Sequence, residues 1–227
     1  MISGTTGVVA LLGHPVAHSL SPRMQNAAFA ARGLDLVYVA LDVPPERLEE
    51  AVRGLAAAGF AGANVTAPHK LAIAALVDTD APSVNTLVFE PDRICGWTTD
   101  AAILEGLPQA RPVILGHGGT ATAFRQALPH ARVFSRRGEW PPEVGDADLV
   151  VNATAARDEM LCELREGQVL VDLPYPETAT AAAARVAGAR VVSGLDVLVA
   201  QGAASFELWT GLPAPLDVMR AAVASPA

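Results

Sequence analysis

A single lysine follows a short polar run at the end of a hydrophobic segment, Gly62-Ala63-Asn64-Val65-Thr66-Ala67-Pro68-His69-Lys70. Pro68 has no backbone N–H and a fixed φ, so we expect a strand to end there. Lys70 would then lie at the mouth of a strand-to-helix turn, with Asn64 and Thr66 beside it. A lysine in such a setting can relay a proton. The alternative is a surface lysine that opens a helix.

A glycine-rich turn, Gly116-His117-Gly118-Gly119-Thr120-Ala121, lies between a predicted strand and a predicted helix. Glycines at this spacing permit a tight turn and close approach of the backbone to a pyrophosphate, and the helix N-terminus supplies N–H groups for it. The pattern therefore favours dinucleotide binding over a simple glycine-rich turn.

The strand after this helix ends in Phe134-Ser135-Arg136-Arg137. An NAD site normally has Asp or Glu here for the ribose diol, whereas an NADP site has Arg for the 2′-phosphate. The segment has no carboxylate and two guanidinium groups, each able to bind a phosphate through two hydrogen bonds. We therefore predict NADP rather than NAD; the alternative is two solvated arginines.

Three further residues have side chains suited to a small acidic substrate. Asp100 could pair with Lys70 if its loop folds back to the same sheet edge, and a role as a helix cap is equally consistent with its position. Ser19 and Ser21 could bind a carboxylate through their hydroxyl groups. Ser21 followed by Pro22 also suits the N-cap and first position of a helix.

Apolar runs and turn residues predict an α/β protein with two open, mainly parallel sheets. We expect an N-terminal substrate domain (1–101, with helices of 203–227 packing back on it), a Rossmann-like NADP domain (102–202), and a cleft between them. The predicted strands are 8–13, 36–43, 60–66, 84–89, 93–96, 112–115, 131–134, 147–152, 168–172 and 190–193. The predicted helices are 22–32, 44–59, 71–76, 101–107, 122–128, 202–209 and 215–223.

The composition excludes several functional classes. Of the 227 residues, 51% are hydrophobic and 18% are charged, which predicts a packed globular protein. A net charge of −8 argues against nucleic-acid binding. The two cysteines lack the spacing of a metal site, and no signal peptide or membrane span is recognisable. We expect a cytoplasmic protein with a small-molecule substrate and no membrane partner or metal, either a monomer or a homodimer.

At these residues the sequence resembles the shikimate dehydrogenase family, which includes quinate/shikimate dehydrogenases. The matching motifs run in order across nearly the whole chain. They are Gly13–Pro22, Asn64–Lys70, Val84–Thr86, Thr99-Asp100, Gly116–Gly119, Asn152–Thr154, Asp172–Thr178 and Gly194–Gln201.

The resemblance implies NADP-dependent reduction of 3-dehydroshikimate to shikimate in aromatic amino acid biosynthesis. Lys70 and Asp100 would be the catalytic pair, and Ser19 and Ser21 would hold the substrate carboxylate. The remaining substrate residues would hold ring hydroxyls, orient their neighbours or line the cleft: Asn64, Thr66, Asn85, Tyr175 and Gln201. The cofactor residues would be Gly116, Gly118, Gly119, Thr120, Ser135, Arg136, Arg137, Asn152, Thr154 and Gly194.

Several positions depart from the family pattern, and the chain is short for the family. Gln25 stands where a histidine is usual, Thr98 where an asparagine is usual, and Val197 where a methionine is usual. A related ring acid, quinate or an aminoshikimate, therefore remains an alternative substrate. A weakly active ligand-binding relative is a second alternative. The paired serines disfavour a dehydrogenase of the methylenetetrahydrofolate type.

Overall fold

The computed structural model describes residues 2–224, which form two compact units. The first contains the chain up to Thr99 together with the residues from Val199 onward, and the second is Asp100–Leu198. In the described part of the chain, no helix is both long and apolar enough to cross a membrane.

The first unit is built on a five-stranded sheet of order β2-β1-β3-β4-β5. Its strands are β1 (Gly7–Gly13), β2 (Leu36–Asp42), β3 (Gly62–Val65), β4 (Thr86–Phe89) and β5 (Ile94–Trp97). β1 pairs in parallel with β2 and with β3, while β4 is antiparallel to both β3 and β5. The predicted parallel β-α-β-α-β start and the predicted hairpin are thus confirmed.

Helices cover this sheet: α1 (Ser21–Ala31), α2 (Leu48–Ala57), the C-terminal part of α5 (Gly194–Thr210), and α6 (Leu216–Ala224). α2 buries Leu48, Val52 and Leu55, which are spaced three or four residues apart and therefore share one helix face. α1 and α5 meet through Phe29 and Phe206, whose rings stack with centroids 5.7 Å apart.

The second unit has an all-parallel sheet of order β10-β9-β8-β6-β7. Its strands are β6 (Pro112–Leu115), β7 (Arg132–Phe134), β8 (Leu149–Asn152), β9 (Val169–Asp172) and β10 (Arg190–Val192), and its helices include α3 (Gly119–Ala127) and α4 (Ala179–Val186). β6, β8 and β9 are buried along their whole length, because helices cover both faces of a parallel sheet.

Four features of the predicted secondary structure need correction. Helix α4 was not predicted. α5 begins at Gly194 rather than at Gly202, and the helices expected over 71–76 and 101–107 are short 3₁₀ helices, Ile73–Ala75 and Asp100–Leu104. Gly202 looked like a helix boundary because glycine disfavours helices. In the structure it lies inside α5, where a Cβ would come within 2.2 Å of Met24 Cε.

Candidate active site

The first group of predicted site residues lies at the carboxyl ends of β1 and β3. β2 lies on one side of β1 and β3 lies on the other, so the order in which strands are added to the sheet reverses at β1. Open α/β sheets bind ligands at such switch points. The loop after β1 joins the turn after β3 through a hydrogen bond from the N–H of His14 to Ala67 O (3.1 Å).

The backbone of Lys70 is anchored by its neighbours. Its carbonyl accepts a hydrogen bond from the N–H of Val84 (2.9 Å). The preceding His69 is only 1% exposed, and its Nε2 lies 2.7 Å from Val43 O. A carbonyl oxygen can only accept a hydrogen bond, so Nε2 of His69 is protonated and is the hydrogen-bond donor. The Lys70 side chain therefore extends from a fixed turn, and it is half-buried. Lys70 is the only lysine in the sequence.

Ser19 and Ser21 lie where β1 leads into α1. Ser21 is buried and is the first residue of α1, with Leu20 in the cap position and no side-chain cap. The predicted N-cap role of Ser21 is therefore wrong. The N–H of Ser21 donates to Ser19 Oγ (3.2 Å).

The phenol of Tyr38 is fully buried, and this burial raises its pKa well above the ordinary value, although a side-chain hydrogen bond with Ser21 opposes the shift. The phenol remains protonated at neutral pH and donates to Asn64 Oδ1 (2.8 Å). The Nδ2 of Asn64 lies 2.9 Å from Ser205 Oγ and 3.0 Å from Asn85 O. The geometry of Asn64, at 5% exposure, thus suits orienting its neighbours, one of the two roles that the resemblance implies.

Asn85 continues this buried polar network. Its Oδ1 accepts a hydrogen bond from the N–H of Thr99 (2.8 Å), and its Nδ2 donates to Thr99 Oγ1 (2.9 Å). The same Nδ2 lies 3.3 Å from Oε1 of Gln201 on α5. Two strand ends and α5 are therefore cross-linked by side-chain amides, and Thr99, which immediately precedes Asp100, is held in place.

The second group of predicted residues lies at the carboxyl ends of β6, β7 and β8. The order of the second sheet places β7 on one side of β6 and β8 on the other, which is again a switch point. A cavity of about 480 Å³ opens here. Its wall is formed by three segments that follow the three strands, 116–118, 135–137 and 153–156, together with Trp140 and Leu161.

The glycine turn between β6 and α3 has two different requirements for glycine. Gly116 has a φ of +128°, and a Cβ there would come within 2.8 Å of Ala153 O. A Cβ on Gly118 would meet no protein atom within 4 Å. Gly116 is therefore required by the fold, whereas the missing side chain of Gly118 leaves open space in front of α3. Gly119 and Thr120 begin α3, whose first turn contains no acidic residue and suits an anion.

The turn after β7 carries the predicted 2′-phosphate residues. The N–H of Gly138 donates to Ser135 O (2.9 Å), which closes the turn around Arg136 and Arg137. The guanidinium carbon of Arg136 lies 5.7 Å from the centroid of the Trp140 ring. Arg136 and Arg137 are both exposed and both line the cavity.

Asn152, at the end of β8, is fully buried and bonded within the protein. Its Nδ2 donates to Asp172 Oδ1 (2.7 Å), and its Oδ1 accepts from the N–H (3.1 Å) and the hydroxyl (2.8 Å) of Thr154. Asn152 therefore shapes the cavity wall through Thr154 and does not line the cavity itself.

Three more predicted residues belong to the second unit. Gly194 begins α5, where a Cβ would come within 2.4 Å of Leu173 O, so close packing explains this glycine. Tyr175 is half-buried in the loop after β9. Asp100 is 5% exposed and begins the 3₁₀ helix Asp100–Leu104.

Comparison with known families decides the relationship that these features indicate. The model of the shikimate dehydrogenase substrate binding domain matches residues 11–87, and that of the shikimate 5′-dehydrogenase C-terminal domain matches residues 194–224. A relative from Anaeromyxobacter dehalogenans (strain 2CP-1), named shikimate dehydrogenase (NADP(+)), is 43% identical over 97% of this chain and 97% of its own length. The chain belongs to the shikimate dehydrogenase family.

Solved structures of the family have the same fold. A shikimate dehydrogenase in complex with NADP⁺ is 33% identical and matches with a TM-score of 0.89 over 98% of this chain and 96% of its own. The Thermus thermophilus enzyme in complex with NADP(H) and shikimate is also 33% identical, with a TM-score of 0.85 over 95% and 98% of the two chains. The predicted α/β architecture and the Rossmann-like second sheet are confirmed.

This chain is short for its family. The alignment with the Anaeromyxobacter relative extends over 270 positions, whereas the present chain has 227 residues, so the relative contains residues that this chain lacks. The expectation of a short member is thereby confirmed.

Sequence reasoning missed several residues that shape the two groups. Tyr38, Ser205 and His69 orient the first group, and Trp140 and Glu159 contact Arg136 in the second. His69, Trp140 and Ser205 lie within four residues of a predicted site residue, and Ser205 follows Gln201 by one turn of α5, with its hydroxyl donating to Gln201 O (3.0 Å). Tyr38 and Glu159 lie outside the recognised motifs, and no spacing rule identifies them.

The buried pair Asn152 and Asp172 predicts a pH-dependent effect of Asn152→Ala. Burial raises the pKa of the Asp172 carboxyl, and the Asn152 amide opposes that shift by donating to the carboxylate. Without the amide the folded-state pKa rises further, so the charged form is less well tolerated. We expect the free energy of unfolding to fall by about 1–3 kcal/mol at pH 8, and by less at acidic pH, because the raised pKa of Asp172 favours the uncharged carboxyl in the folded state as the pH falls.

Urea unfolding at the two pH values measures this difference. Thr154→Val is the matched control, because it removes a hydrogen bond to Asn152 Oδ1 but leaves the donor to Asp172 in place. Its effect should be the same at both pH values. An equal loss at pH 4 and pH 8 for Asn152→Ala would contradict the assignment.

Proposed function

We propose that this protein reduces 3-dehydroshikimate to shikimate with NADPH. The observation that carries the proposal is the end of β7. Where an NAD site has a carboxylate, this chain has Ser135-Arg136-Arg137 on the wall of a cavity of about 480 Å³. Family relatives named shikimate dehydrogenase (NADP(+)) and the complex with NADP(H) and shikimate support the same reaction.

The cavity in the second unit suits NADPH. The open space at Gly118 admits a pyrophosphate to the first turn of α3, formed by Gly119 and Thr120. Ser135, Arg136 and Arg137 provide donors for the 2′-phosphate. Thr154 contributes to the opposite wall. Gly116, Asn152 and Gly194 act indirectly, because the first and last allow close packing and Asn152 orients Thr154.

Lys70 and Asp100 form the catalytic pair of the proposed reaction. When bound, NADPH supplies the hydride for the ring carbonyl carbon. The Lys70 ammonium donates a hydrogen bond to the carbonyl oxygen, stabilises the negative charge that develops there, and transfers a proton to it. A neighbouring carboxylate favours the charged form of a lysine, and this is the role proposed for Asp100.

The remaining substrate residues recognise the carboxylate and the hydroxyl groups of the ring. Ser19 accepts from the N–H of Ser21, and its own hydroxyl proton is therefore suited to donate to the substrate carboxylate. Thr66 lies on the turn that leads to Lys70. Asn85 and Gln201 hydrogen-bond to each other, so they orient one another towards the ring hydroxyls. Tyr175 is proposed as a further substrate-binding residue.

We also propose that the protein works in the cytoplasm as a monomer or homodimer. The net charge of −8 disfavours nucleic-acid partners, and the two cysteines are both free thiols. Size-exclusion chromatography with light scattering measures the oligomeric state directly.

A substrate panel read by nicotinamide absorbance tests this proposal. Shikimate and quinate are each offered with NADP⁺ and with NAD⁺. Shikimate with NADP⁺ should give the highest kcat/KM. Higher activity with quinate would assign the alternative ring acid, and nucleotide binding without turnover of either acid would assign a non-catalytic relative.

Gly118 and Gly116 provide a matched pair for the cofactor turn. Gly118→Val places a side chain in the open space before α3 and should weaken NADPH binding by at least about tenfold. It should lower the unfolding free energy by no more than about 1 kcal/mol, because Gly118 is the N-cap of α3 and valine is a poorer N-cap than glycine. Gly116→Ala should instead lower stability by about 1–3 kcal/mol, because of its positive φ and the contact with Ala153 O.

Calorimetric titration with NADPH and urea unfolding measure the two quantities. Normal NADPH affinity in Gly118→Val would contradict pyrophosphate binding at this turn.

A further inference from the structure

The guanidinium of Arg136 has two partners in the cofactor-binding unit. One is the ring of Trp140, whose centroid is 5.7 Å from the guanidinium carbon. The other is Glu159, whose carboxylate accepts a hydrogen bond from Arg136 Nη2 and forms an ion pair with it. Arg136 is a predicted 2′-phosphate residue, whereas Glu159, in the segment between β8 and β9, belongs to no motif.

Glu159 lies on a segment that is anchored on both sides. The buried hydroxyl of Thr180, on α4, donates to Glu159 O (3.4 Å) and accepts from the N–H of Leu161 (2.9 Å). The N–H of Ala179 donates to Arg157 O (2.7 Å). Three hydrogen bonds to the start of α4 thus fix the backbone on each side of Glu159. The Glu159 side chain therefore extends to Arg136 from a fixed backbone.

The Glu159 carboxylate and a 2′-phosphate compete for the same hydrogen-bond donors, the N–H groups of the Arg136 guanidinium. A carboxylate and a phosphate both bind the planar guanidinium through paired hydrogen bonds, so each lowers the affinity for the other. Glu159 also carries a negative charge, which repels the phosphate. The ribose diol of NAD has no charge at this position, so the same carboxylate affects it much less.

We propose that Glu159 is a specificity-determining residue that lowers the preference for NADP over NAD. Its carboxylate occupies Arg136 until a 2′-phosphate displaces it, and it opposes that phosphate afterwards. The inference rests on the proposed NADP function and adds to it a residue that limits cofactor discrimination. Arg136 and Glu159 are 60% and 53% exposed, and exposed pairs contribute little, so Glu159→Gln should tighten binding of a 2′-phosphate ligand by about two- to fivefold.

Calorimetry on the full chain tests this inference with two fragments, adenosine 2′,5′-bisphosphate and adenosine 5′-monophosphate. Glu159→Gln should tighten only the bisphosphate. The control is Glu163→Gln, which removes the same charge from an exposed position of the same segment and should change neither affinity by as much. In an Arg136→Ala background, Glu159→Gln should lose most of its effect, because the competed donor is absent.

The outcomes separate the inference from the proposed function. If the unmodified protein binds the bisphosphate no more tightly than the monophosphate, the NADP assignment fails. If it prefers the bisphosphate and Glu159→Gln leaves that preference unchanged, the inference alone fails. Weaker bisphosphate binding in Glu159→Gln also overturns it, because Glu159 would then help by holding Arg136 in place.

Discussion

Lys70→Ala should lower kcat for 3-dehydroshikimate reduction by about 10²- to 10⁴-fold, while the KM for the substrate changes by less than about tenfold. The ammonium acts mainly on charge that develops in the transition state, so its loss affects the chemical step more than binding. Lys70→Arg keeps a positive charge, but a guanidinium does not release its proton, and this variant should also have a low kcat. Steady-state kinetics with NADPH measure both variants.

Arg220→Ala provides the control for Lys70. Arg220 is an exposed cation on α6, and its removal should leave kcat and KM unchanged. Because Lys70 is the only lysine of the chain, acetylation of amines offers an independent test. Inactivation should follow modification of Lys70 and should be slowed by shikimate. A fully acetylated Lys70 with undiminished kcat, or Lys70→Ala with normal kcat and lost binding, contradicts the assignment.

Asp100→Asn should lower kcat/KM by about 10²- to 10³-fold. Asparagine has nearly the same shape, so the buried position at the start of its 3₁₀ helix is retained while the negative charge is lost. Steady-state kinetics with NADPH and 3-dehydroshikimate measure this loss.

Asp217→Asn is the matched control for Asp100. Asp217 is an exposed carboxylate on α6, and the same chemical change there should leave the kinetics unaltered. Thermal unfolding of Asp100→Asn distinguishes a catalytic from a structural role. If Asp100 serves only the fold, activity per folded molecule will match that of the unmodified protein, and the proposed pair is wrong.

Patterns of neighbouring residues predicted most of the two sheets. Apolar runs that end in glycine or proline identified β1, β3 and β6, and the glycine motif identified α3, although α3 begins at Gly119, within the motif, and not after Ala121. Chain order then brought predicted residues to the carboxyl ends of adjacent strands. Each of these signals lies within a few residues of the strand end that it marks, so the sequence alone was enough to find it.

Features that depend on tertiary contacts were not predictable. Gly202 was the predicted start of a helix, yet α5 begins at Gly194 and passes through Gly202, whose missing side chain allows Met24 of α1 to pack closely. Asn64 was assigned to the ring hydroxyls or to orienting its neighbours, and only the buried contacts with Tyr38 and Ser205 favour the second role. Glu159 had no recognisable motif, because its significance comes from Arg136, which is 23 residues away.

The most direct test of the proposed reaction is the stoichiometric conversion of 3-dehydroshikimate by the purified chain with NADPH. Absorbance of the reduced nicotinamide at ~340 nm follows NADPH loss, and chromatography identifies the product. We predict that one shikimate forms for each NADPH consumed, at a rate that falls by at least about a hundredfold in Lys70→Ala. Saturable NADPH binding with no shikimate formed would contradict the assignment of this protein as a reductase.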